Sequence, residues 1–330
     1  DHCECADPAD HLANLDIAEP HLACAAYELP LTRADTRWWP RVLDDGIRDL
    51  VIDDQLEVRA QPDPPAPPLA VWAGRGWPAH AVGLRSARAQ EFRIATASGV
   101  TIGTVDHGRA FRLVHPGAVY LHQGVSWRVT DLDLDQHVAT VEPHDDATTT
   151  QPRSDTGLTI LAVDHNRAVG SSALSVGSVR VVSTVTGYRV LELPSGRVVH
   201  TEDLDLPPGE LVTRAFWYTI TPQVLARADI APKAVPGTLH AVEHAAIGML
   251  PLFTICDRWD VGGVSTALLA DTGLPTIVIY DGYPGGAGVA ELGYEAGRHH
   301  LEATLDAIRG CGCADGCPSC VQSPKCGNGN

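Results

Sequence analysis

Apolar residues recur at helical spacing in the first sixty positions. The stretches EPHLACAAYELPL and RVLDDGIRDLVIDDQLEVRA repeat them every three or four residues, and the second passes into a short alternating segment. Helical spacing places apolar side chains on one helix face, whereas alternation is typical of a strand. The pattern predicts two helices and a strand, a winged-helix-like module over residues 1–68, although a helical hairpin has the same pattern. Five prolines in positions 61–68 predict a linker or a long wing.

Alternation of apolar and polar residues dominates the next segment. It is clear in EFRIAT, in VTIGTVD and in AVYLHQGVSWRVTDLDLDQHVATVEP, which Gly, Asp and His-Pro turns separate. Many short strands of this kind predict a small β-barrel, which we place at residues 69–150. The polar stretch EPHDDATTTQPRSDTG, residues 142–157, has no periodicity and is predicted to be an exposed loop or a domain boundary.

Strand and helix patterns are mixed in the remaining chain, residues 151–330. Three strand patterns precede a helical pattern that starts at Gly237, and the apolar strand PTIVIYD, a glycine loop and a long helix from Val289 follow. This order predicts an α/β domain whose last helix leads into a cysteine-rich tail. The fold class is therefore α+β and multidomain, with a winged-helix-like module, a small β-barrel and an α/β domain that ends in a four-cysteine zinc module.

Composition and charge narrow the classes of function. Apolar residues make up 44% of the 330 positions and the formal net charge is −17, which argues against a histone-like coat for nucleic acid but allows a local arginine-lined groove. No apolar run approaches the roughly 18 residues of a membrane span, and we expect a soluble, cytoplasmic protein. Neither Lys233 nor Lys325 lies in a G-x-x-x-x-G-K-[ST] loop, so the chain holds no Walker-type motor.

The tail CGCADGCPSCVQSPKC, residues 311–326, contains five of the nine cysteines. A Cys-x-x-Cys pair directs two thiolates to one centre, and neighbouring cysteines complete a tetrahedral zinc site. An iron–sulfur cluster and disulfides are the alternatives. We favour Cys313, Cys317, Cys320 and Cys326 as ligands of a structural zinc, with Cys311 as the alternate, because a Cys-x-Cys pair strains a shared centre.

Two further motifs each have a functional and a plainer structural interpretation. Gly285 and Gly286 lie between a predicted strand and helix, where backbone N–H groups can hold a phosphate; a tight, closely packed turn is the alternative. His240, Glu243 and His244 match H-x-x-E-H, in which two histidines bind zinc and the glutamate is the base of a metallopeptidase. Helix packing with partly exposed histidines is the plainer interpretation, and the peptidase interpretation is kept beside it.

Arginines surround a pair of tryptophans near the N-terminus. Arg33, Arg37 and Arg41 can contact a DNA backbone while Trp38 stacks on a base. Surface arginines over a tryptophan-capped core are the alternative interpretation.

Together these motifs resemble a known family. The tail CGCADGCPSCVQSPKCGNGN, with HAVEHAAIGMLPLFTICDRWDVGGVST and IYDGYPGGAGVAELGYE before it, resembles the zinc-binding C-terminal region of superfamily 2 DNA helicases of the mitomycin repair factor type. The stretches GVTIGTVDHGRAFRLVHPGAVYLHQG and PHLACAAYELPLT are similar to the region after the motor in that family. The resemblance covers nearly the whole chain.

The resemblance implies an ATP-dependent 3′-to-5′ DNA translocase and helicase that acts in DNA repair. Its two RecA-like motor domains, which use ATP and Mg²⁺, would lie upstream of this chain. The winged-helix, barrel and zinc domains would then guide single-stranded or tailed duplex DNA at the nucleoid, without ATP hydrolysis of their own. A zinc metallopeptidase and a non-enzymatic protein-interaction module are the competing hypotheses.

Overall fold

A computed structural model describes residues 14–61, 67–82, 91–323 and 326. Five residues of the proline-rich run, 62–66, lie outside the described residues. The chain forms two compact units that alternate along the sequence. The first comprises Asp1–Arg88, Thr159–Arg180 and Leu211–Ser323, and the second consists chiefly of Ala89–Leu158 and Val181–Glu210.

The N-terminal part of the first unit has the predicted two helices and strand. Its elements are α1 (Leu15–Glu28), α2 (Leu43–Ile52), β1 (Leu56–Arg59) and β2 (Leu69–Trp72). The Asn14 side chain accepts a hydrogen bond from the Asp16 backbone N–H and so caps α1. The apolar faces of both helices pack with β1 and β2, and Leu22 and Leu50 are fully buried there. Strands β1 and β2 pair antiparallel. Because β1 precedes and β2 follows the boundary expected between residues 68 and 69, this small sheet crosses that boundary.

The second unit contains a barrel-like sheet of five strands, as the alternation predicts. The strands are β3 (Glu91–Thr96), β4 (Thr101–Asp106), β5 (Val119–His122), β6 (Val125–Asp133) and β7 (Val138–Pro143). Their order is β4-β3-β7-β6-β5, and β3 and β7 are the parallel pair. One element is additional, the helix α3 (His107–Leu113), which Asp106 caps by accepting from the Arg109 N–H. Two turns of helix are too short for their periodicity to stand out in an alternating sequence.

Two long strands run through both units. They are β8 (Thr148–Val169) and β9 (Ser172–Glu192), which pair with each other. The prediction of a loop at 142–157 is therefore wrong from Thr148 onward. The consecutive residues Thr148, Thr149 and Thr150 favour extended backbone, and a paired strand satisfies their backbone groups despite the polar side chains.

Strand β10 (Val198–Asp203) lies in the second unit and pairs with β9. An α/β arrangement completes the first unit, with strands β11 (Gly209–Thr219), β12 (Val261–Leu269) and β13 (Leu274–Asp281) and helices α4 (Pro222–Arg227), α5 (Val235–Met249) and α6 (Val289–Gly310). The strand order is β10-β9-β11-β13-β12, with β8 beside β9. The predicted helices α5 and α6 and strand β13 are confirmed. Strand β12 was not predicted, because VGGVSTALL opens with two glycines that interrupt its alternation.

Helices α5 and α6 lie over this sheet and enclose its core. Phe216, Tyr218 and Ile279 from the strands pack against Ala246 and Leu250 at the end of α5. The first unit gives way to the second between residues 88 and 89, and the second gives way to the first between residues 158 and 159. The sequence pattern placed domain boundaries at 68/69 and 150/151. Among the described residues, no helix combines the length and apolar character that a membrane crossing requires.

Candidate zinc centre and nucleic-acid interface

Helix α6 delivers the chain directly into the cysteine-rich tail. The helix ends at Gly310, and Cys311 follows with extended backbone. Farther along, Gly316 adopts a φ of +84°, a conformation that favours glycine, and a β-carbon there would lie 2.6 Å from the Val321 side chain. The turn closes with the Cys320 N–H donating to the Cys317 carbonyl at 3.0 Å. This local geometry folds the tail back so that its thiols face one point.

Four thiols lie together at this point: Cys311, Cys313, Cys317 and Cys320. Their Sγ–Sγ distances are 3.4 Å for 311–313, 3.5 Å for 311–317, 3.5 Å for 313–320 and 3.8 Å for 317–320. Four sulfurs at about 2.3 Å from one zinc ion are about 3.8 Å apart in a tetrahedron, so the donor set fits zinc. Such a closed shell has no position for a reacting water, and the site is a structural zinc site.

The four clustered thiols differ from the favoured set in one member. Cys311, the alternate, stands in the group, whereas Cys326 lies outside it. The backbone of Cys311 is extended after the end of α6, and its Sγ atom lies 3.5 Å from that of Cys317. The individual ligands remain a prediction that metal analysis has to test.

Hydrogen bonding makes the four thiols unequal as acids. The Cys317 backbone N–H donates to Cys320 Sγ at 3.3 Å and lowers the pKa of Cys320 to about 7. Hydrogen bonds with neighbouring thiols raise the pKa of Cys313 to about 12. The thiolate is the form that binds a metal ion, so the hydrogen bond from the Cys317 N–H favours the ligand form of Cys320.

The H-x-x-E-H motif lies on α5 with its glutamate buried. The Glu243 carboxylate is 6% exposed, and it accepts a hydrogen bond of 2.5 Å from the Ser265 hydroxyl of β12. A catalytic base of a peptidase needs a water molecule against its carboxylate. Glu243 instead faces protein atoms, since a β-carbon on Gly263 would lie 2.4 Å from its Oε1 atom. The geometry therefore gives the metallopeptidase hypothesis no support.

In the glycine loop after β13, a carboxylate of the chain itself takes the position where a phosphate would bind. The Asp281 carboxylate accepts from the backbone N–H groups of Ala287, Val289 and Ala290 at 2.6, 3.2 and 2.9 Å. These are the donors that a phosphate would need at the start of α6. Burial and the nearby Glu291 carboxylate raise the pKa of Asp281 to about 7. The loop is thus closed around the chain's own carboxylate.

Close packing accounts for the glycines of this loop. A β-carbon on Gly285 would lie 2.5 Å from the Asn14 side chain, and one on Gly286 would lie 2.3 Å from Arg214. The Asn14 amide donates to the carbonyls of Pro284 and Gly286 at 3.0 and 2.8 Å. The tight-turn interpretation describes this arrangement, and DNA contact through Gly285 and Gly286 stays a prediction.

Two contributors to this loop were not predicted. Arg214 of β11 forms ion pairs with Asp164 and Glu291, both at 2.6 Å, and so ties two strands to the first turn of α6. Asn14 was the other, and its position before a helical pattern was a usable capping signal. The Arg214 network joins residues distant in sequence and has no local signal.

The predicted DNA-contacting side chains share an exposed segment before α2. Arg33 and Arg37 bound a short 3₁₀ helix, which the mutual hydrogen bonds of Thr32 and Asp35 cap. The Trp38 ring is 57% exposed, and the Arg37 guanidinium lies 4.8 Å from its centroid. Arg33, Arg37 and Arg41 are exposed as well. Cations around a solvent-facing ring are the arrangement that can bind phosphates and stack a base.

Two family models match segments of this chain, and their descriptions name the class of protein to which the fold and this site point. Residues 242–321 match the family described as "MrfA Zn-binding domain". Residues 10–87 match "ATP-dependent helicase HRQ1, winged helix domain". The two matched segments therefore resemble the zinc-binding domain described for MrfA and the winged-helix domain described for the ATP-dependent helicase HRQ1.

Individual relatives give the same result along nearly the whole chain. "Uncharacterized ATP-dependent helicase YprA" of Bacillus subtilis (strain 168) is 33% identical over 312 residues, which are 93% of this chain and 40% of the relative. "ATP-dependent helicase HRQ1" of Saccharomyces cerevisiae is 23% identical over 95% of this chain and 30% of the relative. The chain thus spans less than half the length of these helicases.

A solved structure extends the similarity to the fold. "Crystal Structure of DUF1998 helicase MrfA bound to DNA" superposes with a TM-score of 0.56 and 32% sequence identity, covering 94% of this chain and 40% of that one. The resemblance that the tail motif predicted is confirmed.

Proposed function

We propose that this chain is the DNA-engaging accessory region of an ATP-dependent helicase. The observation that supports this most is the homology of 93% of the chain to a helicase 33% identical to it, together with the winged-helix and zinc-binding family matches. The relative of known structure that covers 94% of the chain is bound to DNA. The structural zinc holds the tail in place, and the exposed arginines contact the strand.

The proposal includes the activity of the longer protein. RecA-like motor domains that use ATP and Mg²⁺ drive 3′-to-5′ translocation in DNA repair, and this chain guides the single strand beside them. Cytoplasmic, nucleoid-associated location belongs to the same proposal. The net charge of −17 restricts DNA contact to a local surface, and we assign that surface to the segment around Trp38, which carries three arginines within nine positions.

Equilibrium binding to a fluorescent oligothymidine, measured by anisotropy at several salt concentrations, tests the proposal. Phosphate contacts release counterions, so each contact contributes about 0.7 to the slope of log affinity against log salt for single strands. We expect R33A/R37A/R41A to lower that slope by roughly 2. We expect W38A to weaken binding by about 1–3 kcal/mol, the usual value of one stacked base.

The matched control removes three exposed arginines elsewhere, R197A/R227A/R298A, and changes the net charge equally. It should keep most of the wild-type affinity and salt slope. If the control and R33A/R37A/R41A lose the same affinity, only total charge matters. If neither loses any, the arginine segment is not the DNA interface, and the proposal fails at this surface.

A further inference from the structure

Two imidazoles stand one turn apart on α5. His240 and His244 have ring centroids 4.1 Å apart. The His244 Nδ1 atom lies 2.9 Å from the Val321 carbonyl oxygen. A carbonyl only accepts hydrogen bonds, so this nitrogen carries the proton, and the lone pair of His244 is on Nε2.

His240 is held in a similar manner. Its Nδ1 atom is 3.4 Å from Glu243 Oε2 and 3.4 Å from Ser265 Oγ. The Ser265 hydroxyl donates to the same carboxylate, so its oxygen and the carboxylate together form an acceptor surface for the His240 N–H. The buried Glu243 carboxylate thus contacts both the Ser265 hydroxyl of β12 and the His240 ring.

This pattern is the one that metal-bound histidines show. A ligating imidazole almost always donates its second ring N–H to a carbonyl or a carboxylate, which fixes the tautomer and directs the other nitrogen to the metal. The Val321 carbonyl is the acceptor for the His244 Nδ1–H, and the Glu243 carboxylate is the acceptor for the His240 Nδ1–H. Two histidines at positions i and i+4 of a helix are a common pair of zinc ligands.

The tail supplies a third ligand of suitable chemistry. Cys326 is half-buried and is not one of the four clustered thiols. It follows Val321 by five residues, a length of chain that spans up to about 17 Å when extended. The Cys326 thiol and one ring nitrogen from each of His240 and His244 lie within 4.8 Å of one another. Two imidazoles and one thiolate form a donor set for zinc.

We propose that His240, His244 and Cys326 bind a second zinc ion, separate from the four-thiol site. The Nε2 atoms and the thiolate are its three ligands from this chain, and Glu243 is a positioning residue that orients His240. This ion fastens the end of the tail to α5. The inference goes beyond the proposed DNA interface and does not depend on it.

Elemental analysis of the purified chain after saturation with Zn²⁺ and removal of free metal tests the second site. We expect two zinc ions per wild-type chain and one in each of H240Q, H244Q and C326S. The exposed His299 supplies the matched control, H299Q, which should retain two. Replacement by Co²⁺ adds a spectroscopic readout, because C326S should weaken the thiolate-to-cobalt absorption while H299Q leaves it unchanged.

The positioning role of Glu243 has its own readout. We expect E243A to bind the second zinc about 10–100-fold more weakly in chelator competition and to leave the four-thiol zinc unaffected. Circular dichroism identifies any variant that does not fold, and H240N and H244N then replace it. One zinc in the wild type, or two retained in H244Q and C326S, would overturn the proposal.

Discussion

His300 on α6 is a fully buried histidine that is bonded on both sides of its ring. Its Nε2 atom donates to the Ala246 carbonyl at 2.7 Å, and its Nδ1 atom faces the Tyr218 hydroxyl at 3.2 Å. The Tyr218 hydroxyl is also 3.2 Å from the Gly297 carbonyl oxygen, so its one proton is shared between that oxygen and His300 Nδ1. Burial disfavours the charged imidazole and lowers the pKa of His300. The residue joins α5, α6 and β11.

The pH dependence of stability should report this neutral histidine. A base whose folded pKa is lowered gives stability that is present above its unfolded pKa of about 6.5 and is lost as the pH falls below it. We expect His300 to contribute a slope of up to about 1.4 kcal/mol per pH unit below pH 6.5. Asp281, whose pKa is raised to about 7, contributes in the opposite direction over the same range, so the change in slope on replacing His300 is the quantity that reports this residue. Denaturant unfolding followed by tryptophan fluorescence at pH 5 to 7 measures it.

A variant comparison isolates the contribution of His300. H300Q should have a shallower slope in this range than the wild type, because glutamine retains a donor for Ala246 but does not titrate. The neighbouring exposed histidine provides the control, H299Q, with the wild-type slope. Equal slopes in all three proteins would show that His300 is not held neutral.

The chemistry of individual residues was predictable from the sequence where it depends on the spacing between them. The Cys317-x-x-Cys320 pair indicated a thiolate metal site because two cysteines at that spacing face one centre. The role of Cys311 depended on how α6 ends, and the bonding of His300 depends on contacts 54 and 82 residues away in sequence. No local pattern contains such distances, so neither was predictable from the sequence.

Helix α6, which has a kink at Gly297 where φ is +40°, links the core, the glycine loop and the zinc tail. Its first turn donates N–H groups to Asp281, its middle packs on β11, and its end carries Cys311. The close approach to β11 occurs at Gly293, where a β-carbon would lie 2.3 to 2.8 Å from the Phe216 ring. The helix was predictable from its periodicity, whereas the need for glycine at this point follows from the partner strand.

Adding one methyl group at Gly293 tests the packing of α6. We expect G293A to lower the free energy of unfolding by about 1–3 kcal/mol, because overpacking against the buried Phe216 exceeds the gain in helix propensity. Thermal or denaturant unfolding measures the change. On the same helix, G310A meets no atom within 4 Å and should be neutral or slightly stabilising. A G293A protein as stable as G310A would contradict the packing argument.

Elements with a strong period were predicted, and those that depend on pairing were not. Helices α1, α2, α5 and α6 follow from apolar spacing alone. The polar start of β8 and the glycine-rich start of β12 become strands because neighbouring strands satisfy their backbone groups. Pairing partners of this kind lie far away in the chain, which is why a loop was expected at residues 142–157.

At the scale of the whole molecule, the chain is interleaved between two compact units. Two compact units alternate along the sequence, and long strands pass from one to the other. Composition and alternation predicted the types of module. They assigned each module one continuous stretch of chain, because a sequence pattern does not show that a later segment folds into an earlier unit. The homology to helicases over 93% of the chain, with 40% of the relative covered, agrees with an accessory region.

Photocrosslinking of the chain to a single-stranded oligonucleotide that contains 5-iododeoxyuridine tests the central claim most directly. Trypsin releases Trp38–Arg41 as one peptide, so mass spectrometry can locate a crosslink at the exposed tryptophan. The account predicts that this peptide carries the crosslinked nucleotide and that an excess of unlabelled single strand abolishes the product. Crosslinks that avoid the Arg33–Arg41 segment, or that persist under competition, would contradict the DNA-engaging role assigned to this surface.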